Sequence, residues 1–272
     1  MKETLIVIGL IMLAVALRSC RSPMLRKSGA LLMLVASFFL FYFLTGYLIG
    51  GLIGVLLWFC LPWVELLTRV KNLRLPMNNR LRQTNPPRDT FFPHAAEAIA
   101  AIQERDFEHV EDRGWSWAGM DQHFRIFWNP ELNAIATVCL CEQEQVAFAF
   151  ITLSSHDKDG TVWRTTNFPF SATLKTPDRI NWNRVPCEQS SFDAVLRSHT
   201  DFLAKKKVQV ENLYVPSPEV VVEEIESEMN EQLEYNLQSG IIEEADPRTF
   251  RYTTKGLFFL WKQLVRDMVR LC

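Results

Sequence analysis

A chain of 272 residues, 48% hydrophobic and 22% charged, excludes wholesale disorder and a collagen-like fibre and fits one or two domains of ordinary size. Its net charge of −2 conceals two unlike parts: residues 1–90 carry 11 Lys/Arg against 3 Asp/Glu, a net of +8, and residues 91–272 carry 18 against 28, a net of −10. The split implies a membrane anchor joined to an acidic soluble part. The six scattered cysteines (Cys20, Cys60, Cys139, Cys141, Cys187 and Cys272) exclude a disulfide-stapled secreted domain and suit a reduced compartment.

Residues 4–17 form an uncharged run between Lys2/Glu3 and Arg18. The run is short for a span, and snorkelling by Lys2 and Arg18 would extend it. A cleaved signal peptide is the rival reading, since a basic residue precedes an apolar core. Leu17-Arg18-Ser19-Cys20 also loosely resembles a lipoprotein box. The missing small-residue cleavage site and the Arg18 within the box argue against both.

Residues 30–64 hold no charge at all. As one helix this run would be about 52 Å long, against roughly 30 Å of hydrocarbon. Two spans, about 28–44 and 47–64, turning near Thr45-Gly46, resolve the mismatch; the rival is one tilted helix running on along the interface. Tyr42, Tyr47, Trp58 and Trp63 sit where interfacial aromatics belong. Gly46, Gly50 and Gly54 recur every four residues, a spacing that lets helices approach closely, including those of a second copy.

Basic residues decide the orientation. Arg18, Arg21, Arg26 and Lys27 fill the first connection, and Arg69, Lys71, Arg74, Arg80, Arg82 and Arg88 follow the second run. The positive-inside rule places both on the cytoplasmic side, so the run between them must enter and return. This predicts three spans, or one span plus a re-entrant hairpin, in the inner membrane of a bacterium, with the C-terminal part in the cytosol. Residues 1–68 are the anchor. Residues 69–93, broken by Pro76, Asn78, Asn79, Pro86, Pro87 and Pro93, form a linker without regular structure whose cations lie on anionic headgroups.

An α+β domain is expected over residues 94–215. Ala95, Ala98, Ile99 and Ile102 stripe a helix over 94–106. Strands follow at 124–128, 134–141, 145–153 and 161–168, arranged as an antiparallel meander. Residues 191–205 form a helix with Phe192, Val195, Leu196, His199, Phe202 and Leu203 on one stripe. A last unit, 216–272, opens on a helix over 219–238 striped by Val222, Ile225, Met229, Leu233 and Leu237 and capped by Gly240. A hairpin (241–244 and 250–254) and an amphipathic helix (257–271) complete it.

That order, with Phe250-Arg251-Tyr252-Thr253-Thr254-Lys255-Gly256 at the strand-to-helix corner, resembles the C-terminal half of a winged-helix domain. The whole chain is similar to bacterial membrane-anchored proteins of unknown function, and that similarity brings no site with it. Winged-helix domains often bind DNA through the helix before the wing. Here Glu219, Glu223, Glu224, Glu226, Glu228, Glu231 and Glu234 load that helix with acids and no base, which opposes nucleic-acid binding.

Candidate chemistry is thin. Cys139 and Cys141 face one way on a strand and, with His123, would start a metal site, but a second ligand pair is lacking and buried core cysteine fits better. Asp121-x-His123 and His156-Asp157-Lys158-Asp159-Gly160 read as surface turns; a hydrolase built on His123 and Asp121 is the enzymatic alternative. Ser154-Ser155-His156 lacks the nucleophile turn. On the last helix Lys262, Arg266 and Arg270 line one side, and Leu257, Leu260, Trp261, Leu264, Val265, Met268 and Leu271 cover the other. That face either lies in the membrane surface, with Arg69, Lys71 and Arg74 of the linker, or packs on its own domain. The expectation is a membrane-anchored binding or scaffold module with no catalytic residues, cofactor or metal. Its partners would be the lipid bilayer and a protein or a second copy; a membrane-tethered regulator is the other alternative.

Overall fold

The computed structural model describes residues 2–20, 22–85, 92–117, 119–143, 146–186 and 191–271; the chain is α+β, with seven α-helices among those residues. Arg21, Arg88, Cys187 and Cys272 lie outside the described residues.

Three helices come first: α1 (Lys2–Arg18), α2 (Pro23–Thr45) and α3 (Leu48–Thr68). Two of them are long and apolar enough to cross a membrane, over Met24–Thr45 and Leu48–Asn72. The turn between α2 and α3 falls where the sequence placed it. Gly46 takes a left-handed φ of 75°, and its N–H closes on the Tyr42 carbonyl at 2.8 Å. The Trp58 indole of α3 donates to the Ser37 hydroxyl of α2 at 2.8 Å. A Cβ on Gly54 would meet the Phe41 ring at 2.6 Å, and one on Gly51 the Phe38 ring at 2.6 Å. Gly54 thus serves a contact within the chain, and Gly46 serves the turn.

Residues 69–85 are more ordered than Pro76 and the Asn78-Asn79 pair suggested; Pro86 and Pro87 lie outside the described residues. A 3-10 turn (Val70–Asn72) leads to β1 (Leu75–Pro76) and β2 (Arg82–Gln83). Pro76 is tolerated because β1 is an edge strand, pairing among the described residues with the C-terminal hairpin alone.

The large sheet runs β2-β3-β4-β5-β6-β7-β8, with β3 (Glu108–Trp117), β4 (Met120–Asn129), β5 (Ala134–Gln143), β6 (Val146–Asp157), β7 (Val162–Thr166) and β8 (Ile180–Arg184). Neighbours from β2 to β7 are antiparallel, so the expected meander of four strands is present as β4 to β7; β8 joins parallel to β7. A short β9 (Leu213–Tyr214) pairs with β6 beyond the end of β5. Strand alternation then sorts side chains by face. Ala134, Ala136, Val138 and Leu140 of β5, with Ile151 and Leu153 of β6, pack under α4 (Pro93–Gln103) and α5 (Phe192–Lys205). Ile135, Thr137, Cys139 and Cys141 point the other way, towards α6 (Val221–Gln238).

The C-terminal unit is α6, the hairpin β10 (Ile242–Asp246) and β11 (Thr249–Tyr252), and α7 (Thr254–Leu271), with β1 completing a sheet of order β1-β11-β10. Its core of Leu233, Ile241, Ile242, Phe250, Tyr252, Leu257 and Leu260 also buries Leu66 of α3. Helix α3 and the last unit therefore share one hydrophobic core.

Candidate functional site

Between the α6-facing side of the sheet and helices α6 and α7 lies a cleft with two connected hollows. The inner one, of about 270 Å³, is lined by Phe124, Ile126, Thr137, Cys139, Ser154, His156, Arg164 and Glu228, among others. The outer one, of about 590 Å³, is lined by Phe148, Phe168, Phe170, Leu260, Leu264 and Asp267, among others. Phe150, Thr152, Thr176, Trp182, Gln122 and Gln232 line both.

The inner hollow holds a buried polar cluster. Glu228 is 6% exposed although it sits on a helix rich in solvated acids. One carboxylate oxygen accepts from His156 Nε2 at 2.9 Å, and the other pairs with Arg164 Nη2. Arg164 Nε donates to Ser154 Oγ at 2.9 Å, and its guanidinium lies 5.3 Å from the centre of the Trp182 ring. Burial pushes the Glu228 carboxyl up, but the Arg164 charge and the His156 hydrogen bond outweigh it and hold the group down at about 2. An ionised carboxylate only accepts, so His156 Nε2 is the donor of this bond. Nδ1 of His156 is buried and has no partner among the described residues.

This placement corrects the reading of residues 156–160 as a surface turn. His156 is 5% exposed within β6, and the turn begins only after Asp157. The reading of Asp121 and His123 as a turn also fails, since both are in β4. His123 is buried, its Nδ1 3.0 Å from Thr84 Oγ1 and its Nε2 3.5 Å from Asp112, which is held in turn by Arg125. Asp121 is exposed, so the structure does not assemble the His123–Asp121 pair that the hydrolase alternative needs. His123 pairs in register with Leu140, whereas Cys139 faces Phe124, so His123 is on the opposite side of the sheet from both cysteines. Cys139 and Cys141 are buried with their sulfurs 3.6 Å apart; burial raises the Cys139 thiol, and the hydrogen bond from it lowers Cys141.

On the far side of the sheet, His199 of α5 bridges Ser155 Oγ at 3.1 Å and Thr165 Oγ1 at 2.9 Å. Burial lowers its pKa to about 4, so the imidazole stays neutral. Because the folded value lies below the ordinary 6.5, this group's contribution to stability is complete above pH 6.5 and lost as pH falls towards 4. His199 ring proton shifts in the full-length protein should stay flat from pH 8 to about 5. A midpoint near 6.5 would disprove the neutral, buried assignment.

The residues expected at a membrane surface are divided between two places. Lys71 and Arg74 line a hollow of about 500 Å³ with Arg251, Tyr252 and Lys255 at the start of α7. Arg69 pairs with Glu65 at 3.3 Å. Trp261 turns inward: its indole donates to the Phe59 carbonyl of α3 at 2.8 Å, and its ring lies 6.2 Å from that of Trp63. Lys262 and Arg266 are exposed, and the side chain of Arg270 lies outside the described residues. Val265 and Met268 face α2 and α3, while Leu260, Leu264 and Asp267 face the cleft. Helix α7 is thus a wall shared by the cleft and the N-terminal helices. Compared with protein-family models, curated proteins and solved structures, the chain matches none.

Proposed function

We propose that the protein is a membrane-anchored, non-enzymatic binding module that takes a ligand in the cleft between the large sheet and α6/α7. The reading rests above all on one observation: a cleft of this size, within the range of small-molecule sites, has a wall made by the helix that docks on α3. Helices α1, α2 and α3 are read as three passes through a bacterial inner membrane, with the α+β part in the cytoplasm. The apolar lengths of α2 and α3 and the cations that follow α1 and α3 support this. Lys71, Arg74 and Lys255 then lie at the headgroups, where each cation is worth about 1 kcal/mol.

The α6–hairpin–α7 unit is read as winged-helix-like and as a protein-contacting piece, open to a protein partner or a second copy. The inward side of α6, with Val222, Glu228 and Leu233, is buried, and the side left exposed carries Glu223 and Glu234. That leaves neither a free reading face nor a cationic one for duplex DNA.

Two measurements test the proposal. Native mass spectrometry of the full-length protein purified from membranes should find a bound species of a few hundred daltons. Thr176→Trp, which places an indole where both hollows meet, should remove it. Identical spectra for the two proteins refute the cleft as the site. For orientation, protease added to intact spheroplasts should spare residues 92–271 and cut them only after lysis; cleavage from outside overturns the cytoplasmic placement.

A further inference from the structure

We infer that the cleft takes an uncharged, single-chain amphiphile drawn from the surrounding bilayer, with its head on Arg164 and its chain among Phe148, Phe150, Phe168 and Phe170. The inference rests on the proposal that the cleft is the binding site and that α1–α3 span the membrane.

The chain end follows from the aromatic lining. The Phe150 and Phe168 rings are 4.8 Å apart and tilted, Phe148 and Phe170 stand edge to face at 5.7 Å, and Phe170 remains 42% exposed at the rim. Such rings offer contact area without hydrogen-bonding groups, so they suit methylenes rather than a sugar or a nucleotide.

The charge state of the head follows from the pairing of the groups around it. Arg164 is balanced by Glu228, and buried Asp267 accepts from the Ser171 backbone N–H at 2.8 Å and its hydroxyl. Arg184 is tied to the Phe170 carbonyl at 2.6 Å. A carboxylate or phosphate entering beside Arg164 would sit close to the Glu228 carboxylate. The opposed fields of that ion pair largely cancel, so the pair does little to offset the loss of the anion's hydration. An ester carbonyl or hydroxyl needs only one donor, and Arg164 can supply it: Nε is engaged by Ser154 and Nη2 by Glu228, while Nη1, with two N–H groups, makes no hydrogen bond to a described residue.

The source follows from α7. Leu260 and Leu264 face the cleft on one side of this helix, and Trp261 rests on Trp63 and Phe59 of α3 on the other. The mouth is therefore about one helix diameter, roughly 10 Å, from the apolar flank of α3. Leu264, 37% exposed, marks its lip.

The test uses the full-length protein in phosphatidylcholine nanodiscs doped with one of two photoreactive probes carrying the same diazirine-bearing chain, a monoacylglycerol or a free fatty acid, at pH 8. The monoacylglycerol should label residues 146–170 about tenfold more than the fatty acid, and excess unlabelled monooleoylglycerol should suppress that labelling. Thr176→Trp should abolish cleft labelling and leave labelling of α2 and α3 unchanged, which also reports that the variant is inserted and folded. If the fatty acid labels residues 146–170 equally, the uncharged head is wrong and the cleft stands. If both probes label only α1–α3, with no effect of competitor, the cleft reading itself falls.

Discussion

Glu228→Ala should destabilise the protein by about 3–5 kcal/mol, the usual consequence of removing one partner of a buried ion pair. Arg164, with a side chain 18% exposed, would lose its counter-charge, and His156 Nε2 its acceptor. Chemical denaturation of the full-length protein in mild detergent measures the difference. Glu228→Gln should cost less, because the amide keeps the shape and one acceptor. A double variant, Glu228→Leu with Arg164→Leu, should regain much of the loss, since neither charge is then buried alone. A single Ala variant within about 0.5 kcal/mol of wild type would show that the cluster does not hold the sheet to α6.

The same cluster sets an acid limit. The folded pKa of Glu228, about 2, lies below its ordinary 4.5, so its stabilisation is fully present above pH 4.5 and disappears as pH falls towards 2. The shift corresponds to roughly 3 kcal/mol. Glu228→Gln should flatten the stability profile in that window and leave the His199 window above it intact.

The second large effect is at the seam between α7 and α3. Trp261→Ala removes the indole from Trp63 and its hydrogen bond to Phe59, at a cost of about 3 kcal/mol from lost packing and one lost bond. The receiving carbonyl is on a helix interrupted by Pro62, whose missing N–H already weakens that turn. Limited proteolysis should show α7 cut earlier than the large sheet, with the sheet's own unfolding transition little changed. Trp261→Phe should restore packing but not the bond and fall between the two. Loss of both transitions together would mean that α7 and the sheet unfold as one unit.

The helical front, its hairpin turn and the stripes of α4, α5 and α6 were all legible because they rest on local periodicity and on one glycine at a tight turn. β3 was not. Its sequence Glu108-His109-Val110-Glu111-Asp112-Arg113 carries too many charges for simple alternation, and a register shift at residues 109–111 disrupts the period. β8 is held by parallel pairing to β7 across a long connection, which no local pattern encodes. β1 hides in a proline-rich stretch because its partner, β11, is supplied from the far end of the chain. The polar cluster is a similar case. Position 228 falls on the Ile225–Met229 side of α6, and a glutamate on an apolar stripe signals an internal partner. Which partner, Arg164 or another cation, depends on strand order. His156 was misplaced because a loop-like composition directly follows it.

The contact between Trp261 and Phe59 joins residues 202 positions apart, and Leu75 must wait for Phe250 to pair. Contacts of such long range form late, because loop closure has to come first. During synthesis the front helices emerge well before their final cover, so Leu66 waits for the C-terminal unit and Trp63 for the last helix. A chain truncated before α7 would strip Trp63 of its Phe258 and Trp261 cover and open part of the core around Leu66, making it prone to aggregate even with every strand of the large sheet intact.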